Sequence, residues 1–152
     1  MALPKPIVYQ LIYVSAAKVL MAPAELGELL LKARAHNRRV GVGGLLVHQD
    51  GSFFQVLEGP QPAVDTLYTR ISRDDRHHRV HVLSRADVTE AAFLGWSMGF
   101  VDGGQGGLAA LPGFNDFFRR GFEKTAGSPN LGHAKELVLA FREGRFRQFV
   151  KL

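Results

Sequence analysis

The chain has no cysteine, which excludes disulfides, thiolate nucleophiles and cysteine-ligated metal centres. Any zinc site would have to be built from histidines and carboxylates alone. A chain without disulfides finds its natural compartment in a reducing cytoplasm. No run of about 18 apolar residues is present, so hydropathy defines no transmembrane helix, and Met1–Pro6 lacks the basic start and apolar run of a signal peptide. A concentrated charge of one sign is also missing. The 19 basic and 14 acidic side chains give a net +5. Residues 1–101 carry 11 basic and 9 acidic groups, and 102–152 carry 8 and 5. Only Arg142–Lys151 is locally basic, and a solvated tail is the preferred reading there over a nucleic-acid surface. What is present is an ordinary globular balance over 152 residues, 46% hydrophobic and 22% charged, enough for one domain with one core.

Residues 7–14, Ile-Val-Tyr-Gln-Leu-Ile-Tyr-Val, are β-branched, aromatic and aliphatic between Pro6 and Ser15, the pattern of a buried strand. Pro23 offers a helix start, and Leu26, Leu29, Leu30 and Ala33 follow as an apolar stripe that fades near Asn37. Asp50-Gly51 between two apolar runs predicts a two-residue hairpin. Its register then places Gln49 opposite Ser52, His48 opposite Phe53 and Leu46 opposite Gln55, with Gln55 on the face of Phe53 and Leu57. Gly59-Pro60 ends that strand, and Pro62 opens a helix carrying Val64, Leu67, Tyr68 and Ile71 on one face. Asp74-Asp75-Arg76-His77-His78 reads as a polar turn. Val80, Val82 and Leu83 begin a strand ending by Val88, and Trp96–Phe100 alternates as another.

The order β-α-β-β-α-β-β up to residue 101 predicts an α+β, ferredoxin-like core: a mainly antiparallel sheet, two helices on one face, and the first and third strands adjacent in the middle. Gly103–Gly107 reads as a joint to a C-terminal extension over 102–152. There, one helix carries Phe114, Phe117, Phe118 and Phe122 and another carries Ala134, Leu137, Val138 and Phe141. Both are expected to pack on the open face of the sheet or on a partner subunit.

A ferredoxin-like fold hosts many functions, so function has to come from a site. Catalytic constellations are missing: Asp74 and Asp75 are adjacent in a turn, the six histidines are scattered, and Ser15 and Ser97 lack a nucleophile context. Gly41-Val42-Gly43-Gly44 precedes a strand rather than following one, so it reads as a tight connection rather than a phosphate loop. No enzymatic activity is expected. Two polar groups are oddly placed, however. Tyr13 lies near the end of a central strand, and Gln55 lies among apolar residues of its neighbour. A buried glutamine must satisfy two donors and an acceptor, and leaving them unmet costs about 1–3 kcal/mol. Spacing alone leaves two answers, a tyrosine–glutamine hydrogen bond with backbone help or the polar edge of a planar ligand, and favours the first.

The residues resemble the BLUF domains, sensors of blue light using flavin. The resemblance runs from Ile7 to Phe100 and rests on Leu11–Ser15, Ala35-His36-Asn37 leading to Gly41–Leu46, Phe53–Gly59, Asp74–His78 and Trp96-Ser97-Met98, in family order and spacing. It implies a flavin (FAD, with FMN or riboflavin as alternatives) between the two helices. Tyr13 would be the photochemical tyrosine and Gln55 the switching glutamine. Asn37 would hydrogen-bond the ring's carbonyl side. Leu29, Leu46, Phe53 and Ile71 would pack on the ring, Arg76 and His77 would stand by its pyrimidine edge and ribityl chain, and Trp96 and Met98 would compete for a place beside the glutamine. Gly43 stands where many members carry threonine, and Ala33 where some carry serine; neither change touches the Tyr13–Gln55 pair.

The resemblance implies a short, standalone cytoplasmic photoreceptor that relays light through its C-terminal helices to a separate signalling protein or within a homo-oligomer. The rivals are a ferredoxin-like module that holds another ligand or nucleic acid without photoactivity, and an acylphosphatase-like enzyme. Retention of Tyr13 and Gln55 argues against the first. The stretch Ala16-Ala17-Lys18-Val19, which offers no phosphate-binding loop, argues against the second.

Overall fold

The computed structural model describes residues 8–18, 23–49, 51–88, 99–102 and 131–145. Among the described residues eight elements follow in order: β1 (Val8–Ala17), α1 (Pro23–Val40), β2 (Gly43–Gln49), β3 (Ser52–Gly59), α2 (Gln61–Ser72), β4 (His77–Val88), β5 (Gly99–Asp102) and α3 (Leu131–Arg142). The sheet runs β4-β1-β3-β2-β5. β1 is antiparallel to β3 and β4, β2 is antiparallel to β3, and β5 is parallel to β2. This is the ferredoxin-like α+β arrangement, with β1 and β3 adjacent at its centre.

Alternation along the strands sorts the side chains onto two faces. Tyr9, Leu11, Tyr13, Leu46, Phe53 and Leu57 face α1 and α2, where Leu30, Val64 and Leu67 complete a core. Ile12, Val14, Leu45, Val47, Phe54 and Val56 face the other way and pack against Ala134, Val138 and Phe141 of α3. A strand buried on both sides cannot alternate apolar with polar, and β1 accordingly reads as a near-continuous apolar run, interrupted only by the buried Gln10 and Ser15. The second C-terminal helix thus packs on the open face, as its apolar stripe predicts. The phenylalanine-rich segment 114–122, the joint 103–107 and the start of the last strand at 96–98 lie outside the described residues.

The hairpin register follows Asp-Gly turn chemistry: Gln49 pairs with Ser52, His48 with Phe53 and Leu46 with Gln55, and Gly51 adopts φ +80°. At Gly44 a Cβ would lie 1.8 Å from the Val56 carbonyl oxygen, so only glycine lets β2 lie this close to β3. α1 runs to Val40 instead of fading at Asn37. Gly41 at φ +75° and the bond from Val42 N–H to the Asn37 carbonyl (2.9 Å) form a Schellman cap, which keeps Asn37 inside the last turn.

Two strand boundaries differ from the sequence pattern. β1 continues through Ser15 to Ala17, because Ala16 and Ala17 pair with Ser52, His78 and His77, so Tyr13 sits mid-strand rather than near its end. β4 begins at His77, inside the segment expected to be a turn. Its pairing with β1 slips twice. One step from Ile12 to Tyr13 spans two residues of β4 (Ser84 to Val82), and two steps from Val14 to Ala16 span three (His81 to His78). Each slip leaves one extra residue on β4, and Arg79 takes φ +54° at the second. Polar histidines fit this edge strand because one side of it meets solvent.

Candidate functional site

The faces of α1 and α2 that meet the sheet do not close on each other. A cleft of about 220 Å³ remains, floored by β1, β2 and β3. Helical periodicity decides which side chains reach it. From α1 these are Leu29, Lys32, Ala33, His36 and Asn37 at i, i+3, i+4, i+7 and i+8, with Leu30 beside them, and from α2 and its exit Leu67, Arg70, Ile71 and Asp74 at i, i+3, i+4 and i+7.

On the floor, Tyr13 and Gln55 are direct cross-strand partners between β1 and β3. Tyr13 is 2% exposed and Gln55 6%. The Tyr13 hydroxyl donates a hydrogen bond to Gln55 Oε1. Burial pushes the Tyr13 phenol well above its ordinary range, with the nearby Tyr68 and Asp74 adding to the effect, so it stays protonated. With Oε1 accepting from the phenol, Gln55 meets acceptors only through its Nε2 hydrogens. Tyr68 meets the Tyr13 ring edge-on, 5.5 Å between centroids. Arg85 lies over the Tyr68 ring, 5.3 Å from its centroid, and donates to the Tyr9 hydroxyl at 3.1 Å, so β4 braces α2 above Tyr13.

The exit of α2 forms the polar end of the cleft. Asp74 accepts from Arg76 Nε at 2.9 and 3.1 Å to its two oxygens and from the Arg76 backbone N–H at 2.9 Å. A further bond joins Arg76 Nη2 to Oδ2. The Arg76 side-chain hydrogen bonds hold the Asp74 carboxyl down at about 2, well below its ordinary value. His77 sits between a hydroxyl and a carbonyl: Nδ1 is 2.8 Å from Ser15 Oγ, and Nε2 contacts the Ile71 carbonyl. A carbonyl only accepts, so Nε2 carries the proton, and in the neutral ring Nδ1 takes the Ser15 hydroxyl hydrogen. This fixes the tautomer and ties β4 to both β1 and α2.

The structure brings together nine of the residues expected at the site: Tyr13, Leu29, Asn37, Leu46, Phe53, Gln55, Ile71, Arg76 and His77 all line this cleft. Trp96 and Met98 lie outside the described residues. The cleft also takes in Ser15, Leu30, Lys32, His36, Leu67, Arg70 and Asp74, to which the sequence reading gave no part in a site. A signal for some was available. Lys32, His36 and Arg70 are polar groups on helix faces otherwise set by Leu29, Ala33, Leu67 and Ile71, which is how polar residues at a cleft mouth register in a helical pattern. Among the described residues no cluster of three or more metal-ligating side chains occurs.

Residues 8–99 match the family model BLUF, sensors of blue-light using FAD. Among curated proteins, the chain is similar to photoactivated adenylate cyclase subunit beta of Euglena gracilis, 38% identical over 76 residues; the match spans 50% of this chain and 9% of that subunit. Among solved structures, it is similar to BlrB, a BLUF protein in its dark state, with TM-score 0.64, 25% identity and coverage of 91% of this chain and 98% of that one. It is also similar to Klebsiella pneumoniae BlrP1 with FMN and cyclic diGMP, with TM-score 0.71, 28% identity and coverage of 90% and 35%. The family match over the whole core, together with these structural neighbours, shows that the chain belongs to the BLUF family of flavin-using blue-light sensors.

Proposed function

We propose that this chain senses blue light through a flavin held between α1 and α2, and that the Tyr13–Gln55 hydrogen bond at the floor of that cleft is its switch. The residues present fit the group. Leu29, Leu46, Phe53 and Ile71 give apolar walls for a flat ring. Tyr13, Gln55 and Asn37 offer a phenol and two amides, donors and acceptors of the kind that an isoalloxazine edge requires. FAD is the form that the family description names, and FMN and riboflavin present the same ring. When bound, the flavin supplies the light absorption and an excited state able to accept an electron.

The protein's own part is done by two side chains. Tyr13 is a buried phenol, kept protonated on the floor of the cleft, and is the residue to donate an electron and a proton to the ring. Gln55 is the group that changes. Its amide can turn end for end or tautomerise, presenting a donor where it presented an acceptor, and either outcome re-sorts the hydrogen bonds among Tyr13, Gln55 and the ring. Glutamate could not substitute, since an ionised carboxylate has no donor. The rearranged amide biases β3 and the elements packed on it, α3 among them. The relay then reaches a separate signalling protein or a second copy of the chain, with residues 1–101 as the sensor and 102–152 as the relay. The BLUF region itself performs no catalysis in this reading.

The test is the visible absorption spectrum of the purified protein in the dark and immediately after blue light. A yellow protein with a small reversible red shift is the expected result. A yellow protein without a shift would remove the switch, and a protein that takes up no added flavin would remove the cofactor.

A further inference from the structure

Side-chain hydrogen bonds cross the β1–β3 ladder on both faces of the sheet. On the cleft face the Tyr13 phenol donates to Gln55. Three residues away along β1, Gln10 Nε2 donates to Glu58 Oε2 at 2.9 Å. Gln10 and Glu58 are also direct cross-strand partners, and both are buried. By alternation they share the face of Ile12, Val14, Phe54 and Val56, away from the cleft. The switch itself has no use for this second pair.

Little else fixes the register of β1 on β3. The Asp50-Gly51 turn sets β2 on β3, but α1 and β2 separate β1 from β3 along the chain, so no turn does the same for that pair. Apolar patterning does not decide it either. A slip of two residues keeps every side chain on its own face and sets Tyr13 opposite Phe53 or Leu57, with most apolar residues still meeting apolar ones. β1 tolerates slips elsewhere, since its pairing with β4 shifts twice. With β3 it runs unbroken from Tyr9–Gly59 to Ala16–Ser52. The groups that a slip penalises are the buried polar ones. Glu58 would face Val8 or Ile12, and Gln10 would face Val56 or Pro60. A carboxyl and an amide held out of water and parted from each other are costly.

The Tyr13–Gln55 bond also disfavours a slip, but it is the bond that rearranges when the Gln55 amide turns. It cannot hold the register in both states. We infer that the Gln10–Glu58 pair is the register lock of the central ladder: these are positioning residues that keep Tyr13 opposite Gln55 while Gln55 rearranges. The inference rests on the flavin reading for that rearrangement. It uses a buried polar pair as such pairs are best attested, to specify one alignment among several of similar apolar burial.

The experiment compares amide NMR spectra of the full chain, and its light-induced red shift with FMN bound, across four proteins: the unaltered chain, Gln10→Leu/Glu58→Leu, Gln10→Glu, and the exchange Gln10→Glu/Glu58→Gln. The unaltered chain and the exchange should each show one set of β1 signals, with Tyr13 and Gln55 backbone hydrogens in cross-strand contact. The apolar double variant should show more than one set, and its red shift should fall about twofold or more as registers of similar energy share the population. Gln10→Glu, which opposes two carboxyls, should lose the single set, and the exchange should restore it. A single native register with a full red shift in the apolar variant would overturn the lock, as would an exchange that restores nothing. Should the apolar variant not fold, the comparison of Gln10→Glu with the exchange decides alone. If the unaltered chain binds FMN without a red shift, or binds none, the flavin reading fails while the NMR spectra still decide the register.

Discussion

Tyr13 and Gln55 face each other across the β1–β3 ladder, and the phenol donates to the amide oxygen inside a core where both are nearly inaccessible. Directly paired antiparallel positions hold their Cβ atoms about 4.5–5.5 Å apart, so the contact is imposed by register rather than by flexible reach. Gln55→Leu should retain bound flavin but show no light-induced red shift, and Tyr13→Phe should lose the shift as well. Difference spectra before and after blue light check both, and a full shift in either variant would contradict the assigned switch. Gln55→Leu should also lose about 1–3 kcal/mol of stability in denaturant titrations, because the buried Tyr13 hydroxyl is left without its acceptor.

Gly44 is where the hairpin tolerates no side chain. An alanine Cβ would meet the Val56 carbonyl oxygen at 1.8 Å, and that oxygen belongs to the paired backbone of β3, which cannot swing aside as a side chain could. Gly44→Ala should cost about 3 kcal/mol or more and weaken flavin binding, since Leu46 and Gln55 are carried by the two strands forced apart. Urea midpoints and flavin titration measure the two effects. Alanine at Gly41, where nothing lies within 4 Å, should act only through its positive φ and cost less.

Asp74 links pH to the polar end of the cleft. Its folded-state pKa lies at about 2 against an ordinary 3.8, depressed chiefly by side-chain hydrogen bonds from Arg76. A depressed carboxyl stabilises the fold above the unfolded-state value and loses that contribution as pH falls through the folded one. The stability difference between the protein and Asp74→Asn should therefore be constant above about pH 5 and shrink between about pH 4 and 2. Because Arg76 is 52% exposed and Asp74 31%, the difference should stay below about 1 kcal/mol. Denaturant unfolding of both proteins across this range tests it, and a difference that grows on acidification would reverse the sign of the argument.

Phe141 anchors α3 on the face of the sheet away from the cleft, fully buried, with its ring 5.5 Å from that of Phe54. Phe54 is the immediate neighbour of Gln55 on β3 and points the opposite way. Phe141→Ala should lower stability by about 3–5 kcal/mol while leaving the dark flavin spectrum unchanged, because the cavity opens on the other side of the sheet. Thermal unfolding and absorption spectra separate the two outcomes, and a displaced flavin band would show that α3 supports the cleft as well as the opposite core.

Much of this protein was legible in local patterns. Alternation in Ser52–Leu57 placed Phe53 and Gln55 on one face, Asp50-Gly51 set the register that pairs Gln55 with Leu46, and a glutamine within an apolar strand stood out as a polar group needing partners, although spacing alone favoured a core hydrogen bond over a ligand. These features depend on neighbours a few residues apart, through a strand period of 2, a helix period near 3.6 and the backbone needs of a two-residue turn. The tertiary structure alone decided what depends on the placement of whole elements. It set the unfilled gap between α1 and α2 that turns Lys32, His36 and Arg70 from surface residues into cleft residues. It set the hydrogen bond between Ser15 and His77, 62 positions apart, which makes strand of an expected turn. It set the two slips of β4 on either side of Tyr13 and the parallel pairing of β5 with β2. Local propensity carries no information about the distance between two packed helices or about which edge a late strand joins, because those follow from filling a shared core.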